Sequence, residues 1–170
     1  MKIKKIAIYS LIAALYAVLS LMMGSFSFVG IQFRIGELLM IFCIFNKKFI
    51  LPLTFGCFIT NLIGILMGIN NLPFDLLIGT LATLLSGILM NKLSNIQLMN
   101  RPLLSLIMPA LVNGIIIGIE LALYLGNSEN FFVIFITNGL WIFVGEFISV
   151  FILGLIFYKQ FEKLSKDLEM

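Results

Sequence analysis

Residues 29–38 read VGIQFRIGEL and separate two strongly apolar runs. The stretch holds Gln32, Arg34 and Glu37. Arg34 is the only basic residue that falls on the far side of the membrane in the topology derived below. Such a group at the outer mouth of a helical membrane protein would help to close and line a cavity facing away from the cytoplasm.

The chain has 170 residues, 61% hydrophobic and 11% charged, with a mean hydropathy of +1.15. Soluble domains are about 45–50% apolar and about 25% charged. A 19.1 kDa globule cannot hide that excess from water, so the chain is expected to be an integral, multi-pass protein of the cell membrane. The net charge of +3 does not indicate nucleic acid, because the basic residues sit at segment ends rather than on a patch. There is no His, and Cys43 and Cys57 are far apart within apolar runs. That argues against a disulfide framework and a transition-metal site, and no cofactor is expected. The basic N-terminus resembles a signal peptide, but its apolar run exceeds the usual h-region of about 7–15 residues and is read as a retained helix.

A spanning helix needs about 20 apolar residues. Six segments are expected within one transmembrane domain over residues 1–170: 6–23, 35–45, 49–67, 73–90, 103–125 and 131–158. The segment 35–45 is too short to cross unless it starts deep or tilts. Lys and Arg accumulate in cytoplasmic loops. With both termini inside, Lys2, Lys4, Lys5, Lys47, Lys48, Lys92, Arg101, Lys159, Lys163 and Lys166 are all cytoplasmic, and only Arg34 is outside. The fold class is therefore an all-α bundle of six transmembrane helices.

Small residues four apart allow close helix contact in lipid. The third segment carries Gly56, Thr60, Gly64 and Gly68, read as packing within the chain. The first carries Ala13 and Ala17, which could pack internally or dock another membrane protein.

Acids at a bilayer centre cost on the order of 2.5–3.5 kcal/mol on insertion scales. Glu37, Asp75, Glu120 and Glu146 lie in or at the ends of spans, accompanied by Asn61, Asn113 and Asn138. Most fall in the outer halves or near the middle, so they describe a cup open to the outside rather than a through-going ion path. Asn113, Ile117, Glu120 and Tyr124 share one helical face, as do Asn138, Trp141, Ile142 and Gly145 with Glu146 at the edge, and Asp75, Gly79 and Ala82. A ligand rich in N–H donors and positively charged would suit this cup, with Phe33, Tyr124 or Trp141 stacking on a planar ring. Plainer readings stay open. Asp75 could serve the dipole of its helix, Glu37 could pair with Arg34, and Asn61 could bond between helices. No nucleophile–base set and no phosphate-binding loop is present. The chain is therefore not expected to be an enzyme, and any ATP hydrolysis must come from other subunits.

Five motifs in order, IQFRIGELL (31–39), GCFITNLIG (56–64), DLLIGTLATLLSG (75–87), LVNGIIIG (111–118) and VGEFISVFILG (144–154), resemble the QueT family of queuosine-precursor transporters. These are S components of energy-coupling factor (ECF) transporters. The resemblance implies capture of a 7-deazaguanine, such as queuine or 7-aminomethyl-7-deazaguanine, from outside. It also implies association with a membrane T component and two cytoplasmic ATPases, with Ala13 and Ala17 on the T-component docking surface. On this reading Glu146 and Asn113 meet the base edge, Glu120 or Asp75 meets the amine, and Arg34 and Glu37 act at the lid. Asn138 and Trp141 complete the expected substrate site. The alternatives are an S component for another vitamin or small metabolite, and a gradient-driven secondary transporter.

Overall fold

The computed structural model describes residues 2–24, 33–127 and 129–169. Gln32 and its neighbours in 25–31 lie outside the described residues, as does Ser128.

The described chain is helical, and its elements follow the apolar segments. Helix α1 (Lys2–Met22) is followed by α2 (Ile35–Phe45), then α3 (Ile50–Leu66), α4 (Asp75–Leu93) and α5 (Leu103–Leu125). Helix α6 (Phe131–Glu146) runs through a π-helical turn (Phe147–Ile152) into α7 (Leu153–Glu169). Five of these runs are long and apolar enough to cross a membrane, with α6, the π turn and α7 counted as one. Helix α2 is the exception. Its first part, Ile35–Ile41, winds as a 3-10 helix, whose rise of about 2 Å per residue stretches a short sequence further than an α-helix would. Runs of this geometry beyond three or four residues are uncommon and mark special sites.

Local chemistry explains the boundaries. Asn46 ends α2 and opens the next helix, with its Oδ1 accepting from Lys48 N at 2.9 Å, a side-chain N-cap. Gly68 ends α3 with φ +67°, and Ile69 N and Asn70 N both donate to Gly64 O. That closure needs the left-handed conformation glycine adopts freely. Gly68 therefore serves a turn, whereas Gly56, Thr60 and Gly64 are buried packing positions.

The surface and interior are inverted relative to a water-soluble protein. Leu51, Phe55, Leu66, Leu77, Leu81, Ile115, Leu123 and Leu140 all face outward, which suits hydrocarbon rather than water. Inside, Met40, Ile41, Phe42, Phe49, Leu53, Leu106 and Val150 form a core around α2. Helix α7 closes that end, with Phe161 packed 5.1 Å from Phe42 and Tyr158 packed 5.2 Å from Phe45.

Two helix pairs approach closely enough to fix the geometry of the polar interior. A Cβ on Gly56 would lie 2.8 Å from Ala13 O and 2.9 Å from Tyr16 Cβ, so α1 and α3 meet backbone to backbone. A Cβ on Gly139 would lie 2.7 Å from Gly114 O, so α5 and α6 do the same. Small residues thus set the spacing, as expected where lipid offers no hydrophobic drive between helices.

Candidate functional site

The polar side chains gather in two connected groups inside the bundle. The first is built on Arg34, which is 3% exposed. Its Nη2 donates to Asp75 Oδ2 at 3.2 Å and to Asn61 Oδ1 at 3.1 Å, and its Nη1 points to Cys57 Sγ at 3.8 Å. Asp75 Oδ2 also accepts from Asn70 Nδ2 at 2.8 Å, and Asn61 Nδ2 donates to Asp75 O at 2.8 Å. A buried charge is tolerable only when it is paired and hydrogen-bonded, and Asp75 meets both conditions through Oδ2, while its Oδ1 has no partner among the described residues. It also occupies the first turn of α4, where the helix dipole favours an acid. Of the readings left open for Glu37, a pair with Arg34 is not the one seen: among the described residues the ion pair of Arg34 runs to Asp75. Arg34 precedes the 3-10 helix with extended backbone (φ −104°, ψ 100°), whereas Glu37 lies within it, and the two side chains meet different neighbours.

Glu37 forms the second centre and lies fully buried. Its Oε1 accepts from the Tyr16 hydroxyl and from Thr83 Oγ1 at 3.3 Å. Its Oε2 has no hydrogen-bond partner among the described residues. Glu37 therefore ties α1, α2 and α4 together with one oxygen and keeps the other free. Cys57 links this centre to the first, because Thr83 Oγ1 also lies 3.2 Å from its sulfur.

Glu146 repeats the arrangement from α6. Asn113 Nδ2 donates to its Oε1 at 3.1 Å, and its Oε2 is buried without a partner among the described residues. Glu37 and Arg34 lie within electrostatic range of it. The π turn begins one residue later, and such turns often occur at functional sites. Glu120 on α5 is 4% exposed, and neither of its oxygens has a partner among the described residues. It lies within electrostatic range of Asp75 and Arg34, and it lines a cavity of about 310 Å³ with Phe74, Ile78, Leu123 and Tyr124.

The structure thus brings together Arg34, Glu37, Asp75, Asn113, Glu120 and Glu146. Asn138 stands at the edge, half-buried, with its Nδ2 turned back onto Ile134 O at 2.9 Å. Trp141 is 54% exposed and faces away from the cluster, because the buried face of α6 is Gly139, Ile142, Gly145 and Glu146. Ala13 and Ala17 are 4% and 5% exposed, enclosed by the chain's own packing at the close contact of α1 with α3. Ala13 still floors an outer groove of about 670 Å³ with Ser10, Ala14, Leu51 and Phe55 among its walls. Tyr16, Cys57, Asn70 and Thr83 were not among the expected site residues. Tyr16 carried a usable signal: a phenol in mid-span needs a partner for its hydroxyl.

Taken together, an apolar outer belt, helices long enough to cross a bilayer and a charged, incompletely satisfied interior define a multi-pass membrane protein. The chain matches the QueT transporter family over residues 6–163 and belongs to it. It is 36% identical over 77 residues to the queuosine precursor transporter QueT of Lactococcus lactis subsp. cremoris (strain MG1363). That alignment covers 44% of this chain and 42% of the relative. No solved structure matches.

Proposed function

We propose that this chain is the substrate-capturing S component of an ECF-type importer for a queuosine precursor. It would form one transmembrane domain of six spans, with both termini cytoplasmic. The observation that carries the reading is the pair of buried carboxylates, Glu37 and Glu146. Each has one oxygen held by the protein and one without a partner among the described residues.

The physical argument is a count of charges. Asp75 is matched by Arg34. Glu37, Glu120 and Glu146 remain, all buried. Each ionised carboxylate in hydrocarbon costs on the order of 2.5–3.5 kcal/mol without a compensating group. A 7-deazaguanine answers that cost, since its ring N–H and exocyclic amino group offer paired donors to carboxylate oxygens. Glu146, hydrogen-bonded by Asn113, would meet that edge. Glu37 approaches it from α2, with Tyr16 and Thr83 fixing its angle. Arg34 stays with Asp75 as the charged support of the cup rather than as a lid. The groove floored by Ala13 is the proposed seat of a T component, with the exposed Ser10 and Ala14 at its rim. ATP hydrolysis would be supplied by two cytoplasmic ATPases.

The test is calorimetry of the purified chain in detergent, without partners, against queuine, 7-aminomethyl-7-deazaguanine, guanine and riboflavin. Tight binding of the first two alone supports the assignment. Binding of none by folded protein removes the substrate. Uptake into proteoliposomes by the chain alone, driven by a proton or sodium gradient, would point instead to a secondary transporter.

A further inference from the structure

We propose that Glu120, Phe74 and Tyr124 form an ammonium subsite, separate from the Glu37–Glu146 pair, through which the protein selects cationic over neutral ligands of the same ring system. The assignment rests on the substrate reading above and divides its site in two.

Three observations converge on this cavity. The first is that Glu120 is buried with both carboxylate oxygens lacking a partner among the described residues. Glu37 and Glu146 each spend one oxygen on a protein donor, whereas Glu120 spends neither. A carboxylate held in that state is poised for a ligand carrying the opposite charge.

The second is the company it keeps. The cavity of about 310 Å³ is walled by Phe74 and Tyr124, with Ile78 and Leu123. A carboxylate beside aromatic rings in an otherwise apolar cavity is the chemistry that recognises an organic ammonium. The carboxylate supplies charge, and the ring faces supply cation–π attraction of about 0.5–2 kcal/mol. A divalent metal would want several oxygen ligands instead, and an aliphatic ligand would leave Glu120 uncompensated.

The third is the state of the neighbouring acid. Asp75 lies within electrostatic range of Glu120, but its charge is met by Arg34 and the same oxygen takes Asn70. Its Oδ1 has no partner among the described residues, but its charge is already matched and it is not among the residues lining this cavity. Of the two acids that the sequence offers for an amine, the structure selects Glu120.

The experiment compares two ligands that differ in one group: 7-aminomethyl-7-deazaguanine, with its ammonium, and 7-methyl-7-deazaguanine, which keeps the ring and loses the charge. Dissociation constants are measured calorimetrically for wild type, Glu120→Gln and Tyr124→Leu. Tyr124 is half exposed, so its replacement spares the fold. The wild type is expected to prefer the aminomethyl ligand by about tenfold or more. Glu120→Gln should abolish that preference while leaving affinity for the methyl ligand within about twofold, and Tyr124→Leu should reduce the preference by about threefold. Equal losses for both ligands, or no change for either, would overturn the subsite. A wild type that binds both ligands equally would overturn it and leave the deazaguanine reading standing. A wild type that binds neither would remove both.

Discussion

Two buried acidic regions lie side by side in this bundle and differ in one respect. Around Arg34, the charge of Asp75 is matched and its Oδ2 is held by Arg34 and Asn70, although its Oδ1 has no partner among the described residues. Around Glu37, Glu120 and Glu146, four carboxylate oxygens have no partner among the described residues. Composition does not distinguish the regions, since both are acidic and both are enclosed by helices. Satisfaction does. A paired, hydrogen-bonded charge in a low-dielectric interior holds elements together, whereas an unmatched one is a cost that an incoming group can relieve. On the function proposed above, the first region serves structure and the second binding.

The comparison breaks most visibly at Arg34. Arg34→Met should leave Asp75 buried and unpaired, with an expected loss of about 3–5 kcal/mol. Thermal unfolding in detergent should show a large fall in midpoint, and an unchanged midpoint would remove the structural role. Tyr16→Phe probes the border between the regions. It deletes the donor from α1 to Glu37 with little change in volume, and should cost about 1–3 kcal/mol. It should also weaken ligand binding, because Glu37 would lose one of its two anchors. Trp141→Phe sharpens the contrast from outside both regions. The ring is exposed, so stability should stay within about 0.5 kcal/mol, and affinity should not move. For the same reason tryptophan fluorescence of the wild type should respond little to ligand.

Much of this fold was legible in the sequence. Five spans could be read from apolar length, and the short 35–45 segment ends where Ile35–Phe45 does. The buried acids stood out because charges are expensive in lipid. What could not be read was which way each helix turns. Successive residues rotate by about 100°, so Trp141 and Ile142 sit on different faces, and grouping them placed the ring in the cup. The close contact of Gly139 with Gly114 turns that face of α6 toward α5, and Trp141 is left exposed. Ala13 and Ala17 show the same limit. Small residues mark where backbones can approach, but the pattern does not say that Ala13 both meets the chain's own α3 and lines an open groove. The Arg34–Asp75 pair joins positions far apart in sequence, and no spacing rule reaches that distance.

Glu146 is the residue on which substrate binding turns, and a single titration decides its role. Wild type and Glu146→Gln would be titrated calorimetrically with 7-aminomethyl-7-deazaguanine, each with a thermal unfolding midpoint measured on the same sample. The account expects binding by the wild type, a loss of about tenfold or more in the variant, and a midpoint that does not fall. Unchanged affinity in a variant that keeps its midpoint would contradict the claim and return Glu146 to a purely structural role.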